Sequence, residues 1–135
     1  MWRYTKVWDF QDLSREHPLV LTKIQGIPEM RKVVCCTGSV VLYLDMENNV
    51  WVSGISRSGA LGLGDVFRQE EPRMNPAFGK AVDIFGCYNC SGCINEDGEI
   101  FVCGSNSTGT LGFKSSVRDV FSPVQNKEAP KPTRK

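Results

Sequence analysis

Apolar and polar positions along this chain follow one pattern twice. In Val50-Trp51-Val52-Ser53-Gly54-Ile55-Ser56-Arg57-Ser58-Gly59-Ala60-Leu61-Gly62, a β-branched residue, an aromatic and a valine lead toward a glycine, and a Gly-x-Leu-Gly follows. Ile100-Phe101-Val102-Cys103-Gly104-Ser105-Asn106-Ser107-Thr108-Gly109-Thr110-Leu111-Gly112 repeats this fifty positions later without a gap. The apolar run predicts a short strand packed on two faces and ending at a tight backbone position. Glycine is needed there if φ is positive or if another backbone approaches. The Gly-x-Leu-Gly predicts a loop that drops one leucine into an apolar site. Upstream, residues 40–44 line up with residues 90–94, and Glu47-Asn48-Asn49 with Asp97-Gly98-Glu99. Each copy therefore reads as strand, tight turn, strand, because Asn and Gly accept positive φ at little cost. A repeat of this length marks a propeller, solenoid or array.

The remaining segments fit around these hairpins. Residues 18–24 predict a strand begun by Pro18, where a missing N–H does least harm, and Pro72 and Pro123 stand in similar places after the glycine motifs. Residues 30–36 lead into the first hairpin, and Ile84 and Phe85 repeat the role of Val34 and Cys35. Residues 65–71 are charged and expected to be exposed, and residues 75–79 form a connection. Trp2, Tyr4, Trp8 and Phe10 share even positions, which favours an extended segment with one aromatic face, although a short amphipathic helix over 9–15 competes. After Val124 the chain offers little to bury, so residues 125–135 are expected to be a disordered basic tail.

Asp97-Gly98-Glu99-Ile100-Phe101-Val102-Cys103-Gly104-Ser105-Asn106-Ser107-Thr108-Gly109-Thr110-Leu111-Gly112 resembles the repeat of the regulator of chromosome condensation family. That pattern runs Asp-Gly-x-Val-Tyr-x-Trp-Gly-x-Asn-x-x-Gly-x-Leu-Gly, and the resemblance extends over residues 18–124. Asn48 stands where the family has a turn glycine, and Ser53 and Cys103 where it favours Trp. The resemblance implies propeller blades of four antiparallel strands. The expected fold is all-β, with two propeller-blade-like antiparallel sheets forming an incomplete β-propeller. Residues 1–17 would be an N-terminal segment packing on the first blade, 18–71 the first repeat, 72–124 the second, and 125–135 the tail. Two blades cannot close a ring, so apolar blade faces would stay open. They would be covered by a larger propeller, by self-association through the open faces, or by the terminal segments.

Composition narrows the chemistry. A formal net charge of +1, from 16 basic and 15 acidic residues, gives no reason to expect nucleic acid or an anionic membrane as partner. The first residues hold no apolar core of signal-peptide length and no later run approaches a membrane span. The expected location is therefore cytoplasmic or nuclear, with the six cysteines reduced. Cys87-x-x-Cys90-x-x-Cys93, near Cys103, has the spacing of a metal or iron–sulfur site. On a strand, however, Cys90 would point away from Cys87 and Cys93, and the first copy has Thr37, Val40 and Tyr43 there. No metal site and no cofactor are expected. Gly59-Ala60-Leu61-Gly62-Leu63-Gly64 lacks the Lys-Ser or Lys-Thr that closes a phosphate loop. His17 is the only histidine, with no acid in a recognisable relation to it, so no catalytic residue is assigned and an enzyme is not expected. The expected function is a non-enzymatic protein-interaction module, a scaffold of repeats. The resemblance adds exchange or regulation on a small GTPase as an alternative, and a propeller fragment without independent activity as a third reading.

Overall fold

Each matched tract becomes the central strand pair of a four-stranded sheet. The computed structural model describes residues 2–4, 21–23, 26–36, 39–107, 109–112 and 119–127, the first two stretches by backbone pairing alone. Strand β1 (Trp2–Tyr4) pairs antiparallel with β2 (Leu21–Lys23). β3 (Met30–Cys35), β4 (Ser39–Asp45), β5 (Val50–Ile55) and β6 (Arg68–Met74) follow as one antiparallel sheet in chain order. β7 (Asp83–Cys87), β8 (Cys90–Ile94), β9 (Ile100–Ser105) and β10 (Asp119–Gln125) form the second. The expected all-β architecture of two blade-like sheets is what the chain adopts. Residues 5–20 lie outside the described residues, and with them Trp8, Phe10, Pro18 and the expected packing of the N-terminal segment on the first blade.

Turn chemistry sets both central hairpins. Asn48 N donates to Asp45 O at 3.2 Å and Asp45 N to Asn49 O at 3.0 Å, with Asn48 at φ 69°. In the second blade Gly98 N donates to Asn95 O and Asn95 N to Glu99 O, both at 3.0 Å, with Gly98 at φ 78°. Asn48 thus does in one copy what glycine does in the other, since Asn is among the few side chains that tolerate the left-handed region.

Three details differ from the sequence expectation. The repeat boundary placed at Pro72 falls inside β6, and Pro123 lies inside β10. Both prolines sit where the pairing register shifts on an outer strand, between the Val52 and Gly54 pairs and between the Val120 and Val124 pairs. An edge strand at a bulge can do without the N–H that proline lacks. Ile84 matches Val33 rather than Val34, because Ile84 faces Cys93 while Val33 faces Tyr43. The link from β7 to β8 is only Tyr88-Asn89, shorter than the link from β3 to β4, which moves the offset from fifty to fifty-one. The tail also begins later than expected: Gln125 pairs with Phe101, and Asn126 is buried. Residues 128–135 lie outside the described residues.

Strand alternation places one face of each blade against the other. Val40, Leu42 and Leu44 of β4, with Val50 and Val52 of β5, face Ile84, Cys93 and Cys103 of the second sheet. Cys36, Ala60, Leu61, Phe78 and Ala81, all from connecting segments, complete this single cluster. Phe78 comes from a one-turn 3-10 helix, Pro76–Phe78, whose N-terminus is capped by Asn75. Gly86 of β7 leaves room for Cys36 of the first blade, since a Cβ there would overlap Cys36 Sγ.

Gly54 and its counterpart Gly104 have φ of 116° and 115°, and a Cβ on Gly54 would overlap Ser39 O. Gly79 has φ 68° but nothing within 4 Å of such a Cβ. Gly54→Ala is therefore expected to cost about 3 kcal/mol or more, and Gly79→Ala about 1 kcal/mol. Urea titration of both variants checks this ordering.

Candidate interaction surface at the blade seam

The Gly-x-Leu-Gly loop of the first blade is wedged into the second. Ala60 and Leu61 are fully buried. Ala60 N donates to Ser56 Oγ at 3.0 Å, and Ala60 O accepts from Ser91 Oγ of β8 and, at 3.7 Å, from Cys103 Sγ of β9. Gly64 N donates to Phe121 O of β10 at 2.8 Å. The glycines follow from this proximity: a Cβ on Gly59 would stand 2.6 Å from Val120 O, and one on Gly62 would stand 2.9 Å from Asn75 Nδ2. Asn75, itself buried, donates through Nδ2 to Leu61 O at 3.0 Å and Gly62 O at 2.9 Å.

The second loop repeats the device. Leu111 N donates to Asn106 Oδ1 at 3.1 Å, and Asn126 Nδ2 donates to Leu111 O at 2.8 Å. Leu111 packs with Cys90 and Val102 in a smaller cluster on the outward side of the second blade. The sequence reading missed both clamping asparagines. Their signal is present, since Asn75 follows Pro72 by three residues and Asn126 follows Pro123 by three.

A polar rim borders the seam. Arg31 Nη2 donates to Asn48 Oδ1 at 2.8 Å and Val82 O at 3.0 Å, Lys80 Nζ donates to Asn49 Oδ1 at 2.8 Å, and Lys32 pairs with Asp83. Burial works to raise the Asp83 carboxyl, but hydrogen bonds from Lys32 and its neighbour's amide, with the charges of Lys32 and Arg31, hold it below the ordinary range. Asp45 is 2% exposed, accepting Glu47 N and Asn49 N on Oδ1, and Trp51 Nε1 at 3.0 Å on Oδ2. Desolvation alone would raise its pKa; the Trp51 and Asn49 hydrogen bonds outweigh it and lower it.

Where the seam reaches solvent it presents two aromatic rings. Phe67, 44% exposed, and Phe121, 38% exposed, lie with ring centroids 6.0 Å apart. With Gly64 and Asp65 they line an apolar hollow of about 280 Å³. One ring comes from each blade, so the patch exists only because the blades are joined.

The first blade's outer face differs from the corresponding, seam-facing side of the second. Tyr43 occupies in β4 the register position that Cys93 occupies in β8, and Ser53 that of Cys103. Tyr43 is 5% exposed and its hydroxyl lies 2.6 Å from Ser53 Oγ. In the second blade the small Ser91, Cys93 and Cys103 leave room for the incoming loop. The Tyr43 ring fills the matching space in the first.

The cysteines divide into two kinds. Burial pushes the thiols of Cys36 up to about 11 and of Cys93 and Cys103 up to about 12, so they stay protonated packing groups at neutral pH. Cys87 and Cys90 form a disulfide, contrary to the expectation of reduced cysteines. Strand alternation does not apply between them, because no strand runs from Cys87 to Cys90: the chain reverses at Tyr88-Asn89, which sets the two cysteines opposite one another. Among the described residues, no three His, Cys, Asp or Glu side chains are grouped to hold a metal ion, and no helix is long and apolar enough to cross a membrane.

No sequence model of a protein family matches the chain. The human X-linked retinitis pigmentosa GTPase regulator is 32% identical over 101 residues, 73% of this chain and 10% of that protein. Prp20p of Saccharomyces cerevisiae, the yeast RCC1, superposes with a TM-score of 0.57 at 25% identity over 70% of this chain and 24% of that one. The chain belongs to the regulator of chromosome condensation repeat family. Human WBSCR16, at 19% identity and a TM-score of 0.69 over 78% of this chain and 27% of that one, shares the fold. Prp20p has been characterised for its binding to Gsp1p and histones. The chain spans about a tenth of the curated relative's length and about a quarter of each solved structure.

The seam loop should carry both of these blades. Leu61→Ala is expected to destabilise the whole chain by about 2–5 kcal/mol in one cooperative transition, read by circular dichroism during chemical denaturation. Asp45 gives a pH signature. Its folded pKa lies below its unfolded value, so its contribution is complete above the ordinary carboxyl range and is lost as pH falls through the depressed folded value. Asp45→Ala should cost about 1.5–3 kcal/mol at pH 7, and the gap to the parent chain should narrow as pH drops below about 4. Parallel urea titrations at pH 7 and pH 3 check it.

Proposed function

We propose that this chain is a non-enzymatic protein-interaction module whose partner is a small GTPase. The observation that carries the reading is the Phe67–Phe121 patch, an exposed aromatic pair built jointly by the two blades. Aromatic side chains around a shallow apolar hollow are common anchors of protein interfaces. The partner class is supported by a relative described as a GTPase regulator and by a structural neighbour that binds Gsp1p. Catalytic exchange is a narrower reading; the chain spans only a fraction of those proteins, and fold alone does not carry an activity across. Tyr43, filling the position where a preceding loop would dock, weighs against head-to-tail self-association through the first blade's outer face. The site of action assigned to the module is the cytoplasm or nucleus.

Binding to a panel of nucleotide-loaded small GTPases, measured by calorimetry with nucleotide release followed in parallel, tests the proposal. At least one member should bind, and Phe67→Ala or Phe121→Ala should weaken it about 10-fold or more while leaving the fold intact. Binding indifferent to both substitutions, or none across the panel, would contradict it.

A further inference from the structure

We propose that Cys87 and Cys90 form a reversible thiol–disulfide site, opened by a dithiol reductant, that controls whether the tip of the β7–β8 hairpin is latched to the end of β9. The two cysteines are register partners across Tyr88-Asn89, with Cα atoms 5.4 Å apart. The ring they close spans a sequence separation of only 3. Closing so short a ring restricts the unfolded chain less than a long-range bridge would, because the stabilisation from a cross-link grows with the length of the loop it closes. The bond is therefore poorly suited to be a staple and better suited to switch a local contact.

Access is one-sided. Cys87 is exposed and the neighbouring Tyr88 is 68% exposed, whereas Cys90 is 4% exposed within the cluster of Val102 and Leu111. A reductant thiolate would attack Cys87 Sγ; the Cys87–Cys90 bond breaks, and the electron pair leaves on Cys90 Sγ, which takes a proton. The second thiol of the reductant then attacks its own sulfur in the mixed disulfide and releases Cys87 as a thiolate that is protonated in turn. Two electrons and two protons pass to the protein, and the dithiol becomes a cyclic disulfide. A disulfide oxidant reverses the exchange. Cys36, Cys93 and Cys103 are buried, and Cys35 is the exposed free thiol among the described residues.

The latch lies directly beside the bond. Asn89 sits at φ 55°, and its carbonyl accepts Ser105 N at 2.8 Å. Gly104 permits that approach, since a Cβ there would come within 2.7 Å of Cys90 Cα. Opening the disulfide releases the constraint that holds Asn89 in the left-handed region, and with it the Ser105 amide.

Alkylation after denaturation and amide hydrogen exchange on the full chain test this. Protein prepared without reductant should take four labels, at Cys35, Cys36, Cys93 and Cys103, and six after dithiothreitol treatment of the native protein. Exchange at Ser105 should quicken about 10-fold on reduction, with β4 and β5 unaffected, and return on reoxidation. Cys87→Ser should show the faster exchange without reductant and no further response, and Cys35→Ser should keep the response. Six labels before reduction, four labels persisting after native-state dithiol, Ser105 exchange insensitive to the bond, or a response lost with Cys35 would each overturn the proposal.

Discussion

The loop from Gly59 to Gly64 sets the backbone of one blade into the other, and the rest of the arrangement follows from that contact. Ala60 O accepts from Ser91 and Gly64 N donates to Phe121 O, so the loop is hydrogen-bonded to the second sheet as if it belonged there. Glycine at 59 and 62 lets the chains approach this closely, and Leu61 fills the space between them. Without the loop each sheet would have one apolar face in water, a state in which an isolated sheet of this size is marginal.

The seam is apolar inside and polar at its rim. Desolvated thiols of Cys36, Cys93 and Cys103 pack there as small hydrophobes, whereas the charges of Arg31, Lys32, Lys80 and Asp83 stay at the border where water still reaches them. Exposed pairs such as Lys32–Asp83 contribute modestly to stability, since solvent screens them. Their consequence is orientation: they fix how one sheet is set on the other, and thereby how Phe67 of one blade meets Phe121 of the next. The surface proposed to recognise a partner is thus a product of the same contact that joins the blades.

Much of this was legible in the residues, and what was not has physical causes. The hairpins could be read because alternation and turn chemistry are local: Asn48 and Gly98 announce their turns wherever they stand. The loop's buried leucine could be read because two copies bracket it with glycine. Register, by contrast, depends on the length of the link before β8, and a one-residue difference shifted Ile84 from Val34 to Val33. The same short link turned Cys87 and Cys90 toward one another, which strand alternation alone denied. Asn75 and Asn126 read as connection and tail because their partners, the carbonyls of Leu61 and Leu111, are distant in sequence. Pro72 looked like a beginning because proline so often starts a strand, and only the edge position of β6 explains why it stands within one.

Hydrogen exchange measured amide by amide on the unmodified chain tests most directly whether two sheets form one body. If the wedged loop unites them, the slowest amides of β4 and β5 and those of β8 and β9 will share one opening free energy and respond alike to denaturant. A second sheet that exchanges through its own, cheaper opening, with the first still protected, would contradict the account.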